Sequence, residues 1–326
     1  VLDSLERSFH DRCTDRSTLF EEFTMSAAAT ATNAVPPGPR LTIAVAGATG
    51  KVGAALLTGL VDEPVDLLAL TRAPAAKSLP AGVGVRAVDF DAPATLRAAL
   101  QGVDRLFLAQ GSSLRQVDNE IALIDSAVAA GVKHIVKLSA LGMPLQLHPF
   151  DWHTRIEAHL AVQDIGYTML RPTTFMNVLA LSGPAVARGD WGGAAGQGVV
   201  NLIDVRDVAD VARTVLLEAA SSWQRAFHLT GTRAWSMQEI ADQLSGLLGK
   251  PVAYHPRTPA QQREYLLGTG LAEFSADVRV GLERAFYQSA LREDTSTVQL
   301  LTGHAPRSLE AWLGENLALF QGEPQA

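Results

Sequence analysis

The chain has 326 residues, 47% hydrophobic and 19% charged, enough apolar material for one large α/β domain or two modest ones. With 34 acidic against 27 basic side chains the net charge is −7, which argues against a general affinity for nucleic acid or anionic membrane. A single cysteine, Cys13, rules out an internal disulfide and argues against a cysteine metal centre. No run approaches 18 consecutive apolar residues and no basic-then-apolar leader opens the sequence, so a cytoplasmic protein without a membrane span is expected.

Residues 1–40 read as a disordered or extraneous tail. The segment SAAATATNAVPPGPR after Met25 carries no hydrophobic period, and Met25 offers an alternative start. From Leu41 the texture changes. LTIAVAG (41–47) is a short apolar run with β-branched residues, as in a buried parallel strand, and GKVGAALLTGL (50–60) follows with helical spacing. Strands are predicted at 65–71, 84–90, 105–111, 134–140 and 167–172, with helices at 92–102, 117–131 and 152–164. Strand and helix alternating at such intervals predict βαβ units and a doubly wound parallel sheet.

Beyond Pro172 the rhythm loosens. GDWGGAAGQGVV (189–200) is Gly-rich, and its segment 189–198 reads equally as a pocket lid or a plain loop. A helix from 205 and a strand at 226–231 follow, and these elements, about 204–230, can return to the first domain. The box Ser236-x-x-Glu239 opens a helix through Leu248. A short strand is expected at 252–256, helices at 258–290 and 308–320, with Pro259 at a first helical position. The expected organisation is a nucleotide-binding domain over 41–172 and a smaller mixed α/β substrate lobe over 173–322.

Gly47-Ala48-Thr49-Gly50-Lys51-Val52-Gly53 is G-x-x-G-x-x-G set directly between strand and helix. Gly47 permits the tight turn, Gly50 lets backbone N–H groups approach a diphosphate, and Gly53 lets the helix pack closely. The helix start then presents free donors and a positive dipole end to the phosphates. The alternative is a purely structural turn. An NAD site carries an acid near the end of the second strand, whereas this strand ends Leu70-Thr71-Arg72, with Lys77 beyond. A guanidinium there suits a 2′-phosphate, so NADP(H) is expected over NAD(H). Asp89 and Phe90 would flank the adenine, although Asp89 equally suits a helix cap.

GATGKVG, TRAP with Lys77, VDFD (88–91), AAGVKHIVKLSALG (129–142) and HTRIEAHLAVQDIGYTMLRPTTFMN (153–177) together resemble the NmrA-like atypical short-chain dehydrogenases, in the style of their quinone and triphenylmethane reductases. STVQLLTGHAPRSLEAWLGENL (296–317) resembles that family's ending. The resemblance covers about 41–320 and implies a Rossmann-type core. It places Gly47, Thr49, Gly50, Lys51 and Val52 around the diphosphate, and Arg72 and Lys77 at the 2′-phosphate. It places Ala109, Gln110 and Gly111 along the ribose, Ser139, Ala140 and Leu141 by the nicotinamide, and Thr173 to Asn177 over the ring.

One departure bears on the chemistry. Ordinary short-chain dehydrogenases carry Tyr-x-x-x-Lys on the helix after the fifth strand, and 152–164 has neither residue type. Reduction of an electron-poor acceptor, such as a quinone, needs little acid catalysis and survives that loss. His153, with Ser139, is the candidate catalytic residue. It could donate a proton or orient a quinone oxygen with Glu157 holding its ring, against the reading of a surface or cap-proximal histidine. Trp152, Phe175, Met176 and Asn177 are candidate pocket residues, with core packing as the alternative for Trp152, Phe175 and Met176. No metal site is expected. Two functions follow: an NADPH-dependent reductase of a small electrophile, acting as monomer or homodimer, or a non-catalytic NADP(H) sensor that binds a protein partner.

Overall fold

The computed structural model describes residues 40–72, 79–111, 113–141, 150–219 and 224–322; the tail at 1–39 and Lys77 lie outside the described residues. The first half runs β1 (Leu41–Ala46), α1 (Lys51–Leu60), β2 (Val65–Thr71), β3 (Gly84–Ala87), α2 (Pro93–Ala99), β4 (Arg105–Leu108), α3 (Gln116–Ala130), β5 (His134–Leu138), α4 (Phe150–Ala161) and β6 (Gly166–Pro172). The second half runs β7 (Thr174–Phe175), α5 (Gly183–Arg188), β8 (Gly192–Gly193), β9 (Val199–Ile203), α6 (Val205–Leu217), β10 (Gln224–Leu229) and β11 (Ala234–Ser236). It closes with α7 (Met237–Leu248), β12 (His255–Pro256), α8 (Pro259–Gly268), α9 (Glu273–Tyr287), α10 (Thr297–Thr302) and α11 (Leu309–Glu315).

Seven strands form one sheet in the order β10-β6-β5-β4-β1-β2-β3, and every neighbouring pair is parallel. The chain leaves β1 toward β3 and then crosses back to β4, so the order reverses between β1 and β4. In such a sheet ligands bind outside the carboxyl ends of the strands at this reversal. Alternation along each strand splits the core in two. Ile43, Val45, Phe107 and Val136 face α1 and α6, where Leu56, Leu57, Leu60, Val208, Val211 and Val215 are buried. Ala44, Leu106, Leu108 and Ile135 face α2, α3 and α4, against Leu96, Leu123, Ile124, Ile156 and Leu160. Arg105, buried at the start of β4, donates to the carbonyls of Leu216 and Glu218 at 2.5 Å each and so closes the end of α6.

A third core, with Met176, Trp191, Trp235, Ile240, Leu244, Phe286 and Trp312, lies in the second half, with small sheets β11-β9-β7 and β12-β8. The capping box opening α7 is complete: Ser236 Oγ accepts the Glu239 N–H at 3.2 Å, and Glu239 Oε2 accepts the Ser236 N–H at 2.8 Å. Thr258 and Gln261 form a second box, with Pro259 in the first turn of α8. The helix expected over 258–290 is two helices, because Gly270, at φ +85°, reverses the chain after α8. The helix expected over 308–320 is α11 followed by a 3₁₀ turn, Leu317–Phe320. Only His255 and Pro256 of the strand expected at 252–256 pair, with Gly192 and Gly193.

The glycine-rich run is held rather than open. Residues 191–195 are buried. Glu283 Oε2 accepts the Ala194 N–H at 2.7 Å, and the Tyr254 hydroxyl accepts the Ala195 N–H at 3.2 Å. A Cβ on Gly193 would lie 2.8 Å from both of these oxygens, which explains the glycine.

Candidate functional site

A crevice of about 650 Å³ opens at the strand-order reversal. Gly47, Thr49, Gly50, Lys51, Val52, Gly53, Arg72, Phe90, Ala109, Gln110, Gly111 and Phe175, all singled out from the sequence, line it. The glycines have distinct reasons. Gly47 adopts φ +81°, and a Cβ there would stand 2.1 Å from the Ala109 carbonyl oxygen. A Cβ on Gly53 would stand 2.2 Å from the Gly47 oxygen. Gly50 is the N-cap of α1 and supplies no capping side chain, so the first-turn N–H groups are left for a ligand.

Further groups fit a bound dinucleotide. The side chain of Gln110, on the crevice wall, has a buried Nε2 without a hydrogen-bond partner among the described residues. A buried donor left unpaired is costly, and a ligand acceptor would satisfy it. Gln110 Oε1 is 3.5 Å from Asn119 Nδ2, and Asn119 also lines the crevice. Arg72 is exposed at the mouth, beside Thr71 at the end of β2.

Not every candidate faces this space. Asp89 is exposed and outside the lining; its carboxylate accepts the Asp91 N–H at 2.9 Å, which builds the turn ahead of α2. Ser139, Ala140 and Leu141 follow β5 and do not line the crevice; the Ser139 N–H donates to Leu170 O at 2.7 Å and the Leu141 N–H to Pro172 O at 2.9 Å. Ser139 Oγ is buried and unpartnered among the described residues. Met176 is buried in the third core, and Asn177 beside it is half-buried with a buried, unpartnered Oδ1. Trp152, 7% exposed, stacks on Phe274 of α9 at 6.4 Å between ring centroids, so it joins the two halves.

His153 is corrected in its partner. Glu157 does not hold the ring: it takes a two-pronged bond from Arg171, at 2.9 and 2.6 Å. The ring's Nδ1 lies 3.2 Å from Lys137 Nζ. Burial, reinforced by the Lys137 charge, pushes the imidazole down to about 3, so at neutral pH it carries no positive charge. Lys137 itself is completely buried in β5 and pairs at 2.9 Å with Glu120 of α3, also completely buried. Gln116 Nε2 donates to Glu120 Oε1 at 3.1 Å. Burial pushes the Glu120 carboxyl up, and the Lys137 charge opposes that.

Sequence reasoning passed over Lys137, Glu120 and Asn119. The signals were present. Lys137 interrupts the apolar strand HIVKL, and Asn119 shares a helix face with Leu123, one turn on.

A parallel sheet with a glycine cradle and donor-rich helix start at its reversal defines a Rossmann-type NAD(P)-binding protein. The model of a family described as NAD(P)H-binding matches residues 47–219, more than half of the chain. The chain therefore belongs to that NAD(P)H-binding family. Quinone oxidoreductase 2 of Escherichia coli is 33% identical over 276 residues, covering 82% of this chain and 96% of the relative. An NAD(P)H azoreductase of Xenophilus azovorans is 32% identical over 285 residues, covering 85% and 99%. The E. coli quinone oxidoreductase in complex with NADPH superposes with a TM-score of 0.79 at 31% identity, over 84% of this chain and 99% of the other. The triphenylmethane reductase of Citrobacter sp. does so at 0.78 and 25%, over 85% and 100%. The chain is an oxidoreductase by this kinship. No helix among the described residues is long and apolar enough to cross a membrane.

Proposed function

We propose that this chain is an NADPH-dependent reductase of quinones or related electrophilic small molecules. The observation that carries the reading is the crevice at the β1/β4 reversal, with its glycine cradle at one end and Arg72 at its mouth. First-turn amides of α1, from Lys51 to Gly53, hold the diphosphate, and Arg72 contacts the 2′-phosphate. That cation, in a strand end without an acid, is the basis for preferring NADP(H) to NAD(H). NADP(H), when bound, supplies a hydride at its nicotinamide ring. Leu138 and Phe175 line the crevice and hold an acceptor against that ring.

Acceptor class follows from what α4 lacks. Helix α4 (FDWHTRIEAHLA) has no Tyr-x-x-x-Lys pair, so alcohol–carbonyl chemistry has no proton donor there. Conjugated electron-poor acceptors dispense with one, and the relatives named above are a quinone, an azo and a triphenylmethane reductase. The test is NADPH oxidation, followed at its near-ultraviolet absorbance, against quinones, azo dyes, cationic dyes and enones. Turnover with at least one class is expected. NADPH binding with no turnover on any of them overturns the reading and favours the sensor.

A further inference from the structure

We propose that Asn119 is a specificity-determining residue for the coenzyme: its side-chain carbonyl accepts from the 6-amino group of the adenine, so the protein selects an adenine coenzyme over one with a 6-oxo base. The proposal rests on the reading of the crevice as an NADP(H) site, and not on turnover.

The crevice has an apolar end. Leu70, Val88, Phe90 and Leu123 line it, and all four pack in the core shared with α2, α3 and α4. They come from the end of β2, the exit of β3 and α3, and Arg72 follows β2 directly. A coenzyme whose 2′-phosphate meets Arg72 carries its adenine on the same ribose, beside that phosphate. An apolar slot there is what a flat purine fills.

Asn119, 8% exposed, stands one turn before Leu123 on α3 and lines the same crevice. An amide side chain has a donor end and an acceptor end. Asn119 Nδ2 donates to Gln110 Oε1 at 3.5 Å, so its nitrogen is engaged and its carbonyl Oδ1 is the free end. Gln110 is thus a positioning residue, fixing which end of Asn119 meets the base. Adenine offers a donor at its 6-position. Hypoxanthine offers an oxygen there, and two facing oxygens form no hydrogen bond. A site built around one such bond rejects the analogue that leaves it unmade. The Ser113 hydroxyl, also on the wall, both donates and accepts and so selects neither base. The Asp89 carboxylate, beside Phe90 in the chain, lies outside the lining and accepts the Asp91 N–H instead.

The experiment titrates the full chain calorimetrically with NADPH and with its 6-oxo analogue, reduced nicotinamide hypoxanthine dinucleotide phosphate. Wild-type protein is expected to bind the analogue about tenfold or more weakly than NADPH. Equal affinities, or a preference for the analogue, overturn the proposal, and this comparison needs no variant to fold. N119L is expected to close most of the gap by weakening NADPH, whereas N119D, whose carboxylate still accepts, keeps it. A residue that only packed the slot would weaken both coenzymes together, so an unchanged ratio in N119L overturns the role. Q110M, which frees Asn119 Nδ2, is expected to narrow the gap, and Q110E, which keeps an acceptor oxygen, to preserve it. A gap as wide in Q110M as in wild type overturns the positioning role of Gln110. Protein that binds neither coenzyme refutes the NADP(H) reading and this proposal with it. Protein that binds NADPH with the expected preference but reduces no acceptor refutes the reductase reading alone and upholds Asn119.

Discussion

Glu283 of α9 accepts the backbone N–H of Ala194 at 2.7 Å, and with Gln262 Nε2 at 2.9 Å on its other oxygen it anchors the glycine-rich run. E283A is expected to orphan these buried donors and to destabilise the protein by about 1–3 kcal/mol. Burial pushes the Glu283 carboxyl up, so the folded state keeps a proton where the unfolded chain has lost it. Its contribution is complete at low pH and declines as pH rises through the usual carboxylate range to the raised folded value. Denaturant melts of both proteins should show the E283A penalty larger at pH 4.5 than at pH 8.

His153 titrates with the opposite sign. Its imidazole is pushed down from the usual 6.5 to about 3, so the folded state resists a proton that the unfolded chain accepts. The stabilisation is fully present above pH 6.5 and is lost as pH falls toward 3. Over that window one such group steepens the loss by up to about 1.4 kcal/mol per pH unit. Unfolding free energies from pH 7 to pH 4 should fall less steeply in H153Q than in wild type.

Gly53→Val is expected to abolish the cradle while leaving most of the sheet intact. The first added carbon would sit 2.2 Å from the Gly47 oxygen, which is backbone and cannot step aside. The turn and the start of α1 must then part. Calorimetric titration should show NADPH binding weakened at least tenfold, about 1.4 kcal/mol.

Arg72→Ala should separate the two coenzymes. Losing one charge-assisted contact at the mouth of the crevice is expected to weaken NADPH by about 1–3 kcal/mol with NADH almost unaffected. Parallel titrations with the two coenzymes check this. Equal losses would place Arg72 away from the 2′-phosphate.

What could be read in advance was local. The run from Leu41 to Leu60 declares strand, turn and helix through period and glycine placement alone, and the first six strands of the sheet follow the predicted order of elements. The capping box at Ser236 and the helix start marked by Pro259 were equally visible, because each signal spans only a few residues. The rest depends on encounters between distant segments. Glu120 meets Lys137 across α3 and β5, Arg171 captures Glu157 from β6, and Gly192 finds His255 more than sixty residues away. A period along one element carries no information about which neighbour its side chains will meet. His153 illustrates the limit: its place on α4 was legible, but its charge state depends on a lysine from another element.

The outermost strand β10 and the helix α6 that covers α1 come from residues 205–229, well after β6 has ended. A polypeptide stopped at Pro172 would leave Leu56, Leu57 and Leu60, each wholly enclosed in the intact molecule, open to water. At about 1.5–3 kcal/mol per leucine that loss rivals the total stability of an ordinary domain, about 5–15 kcal/mol. The coenzyme half is therefore no transplantable module: on the ribosome it stays unfinished until the later segment emerges, and grafting it elsewhere requires carrying that segment along.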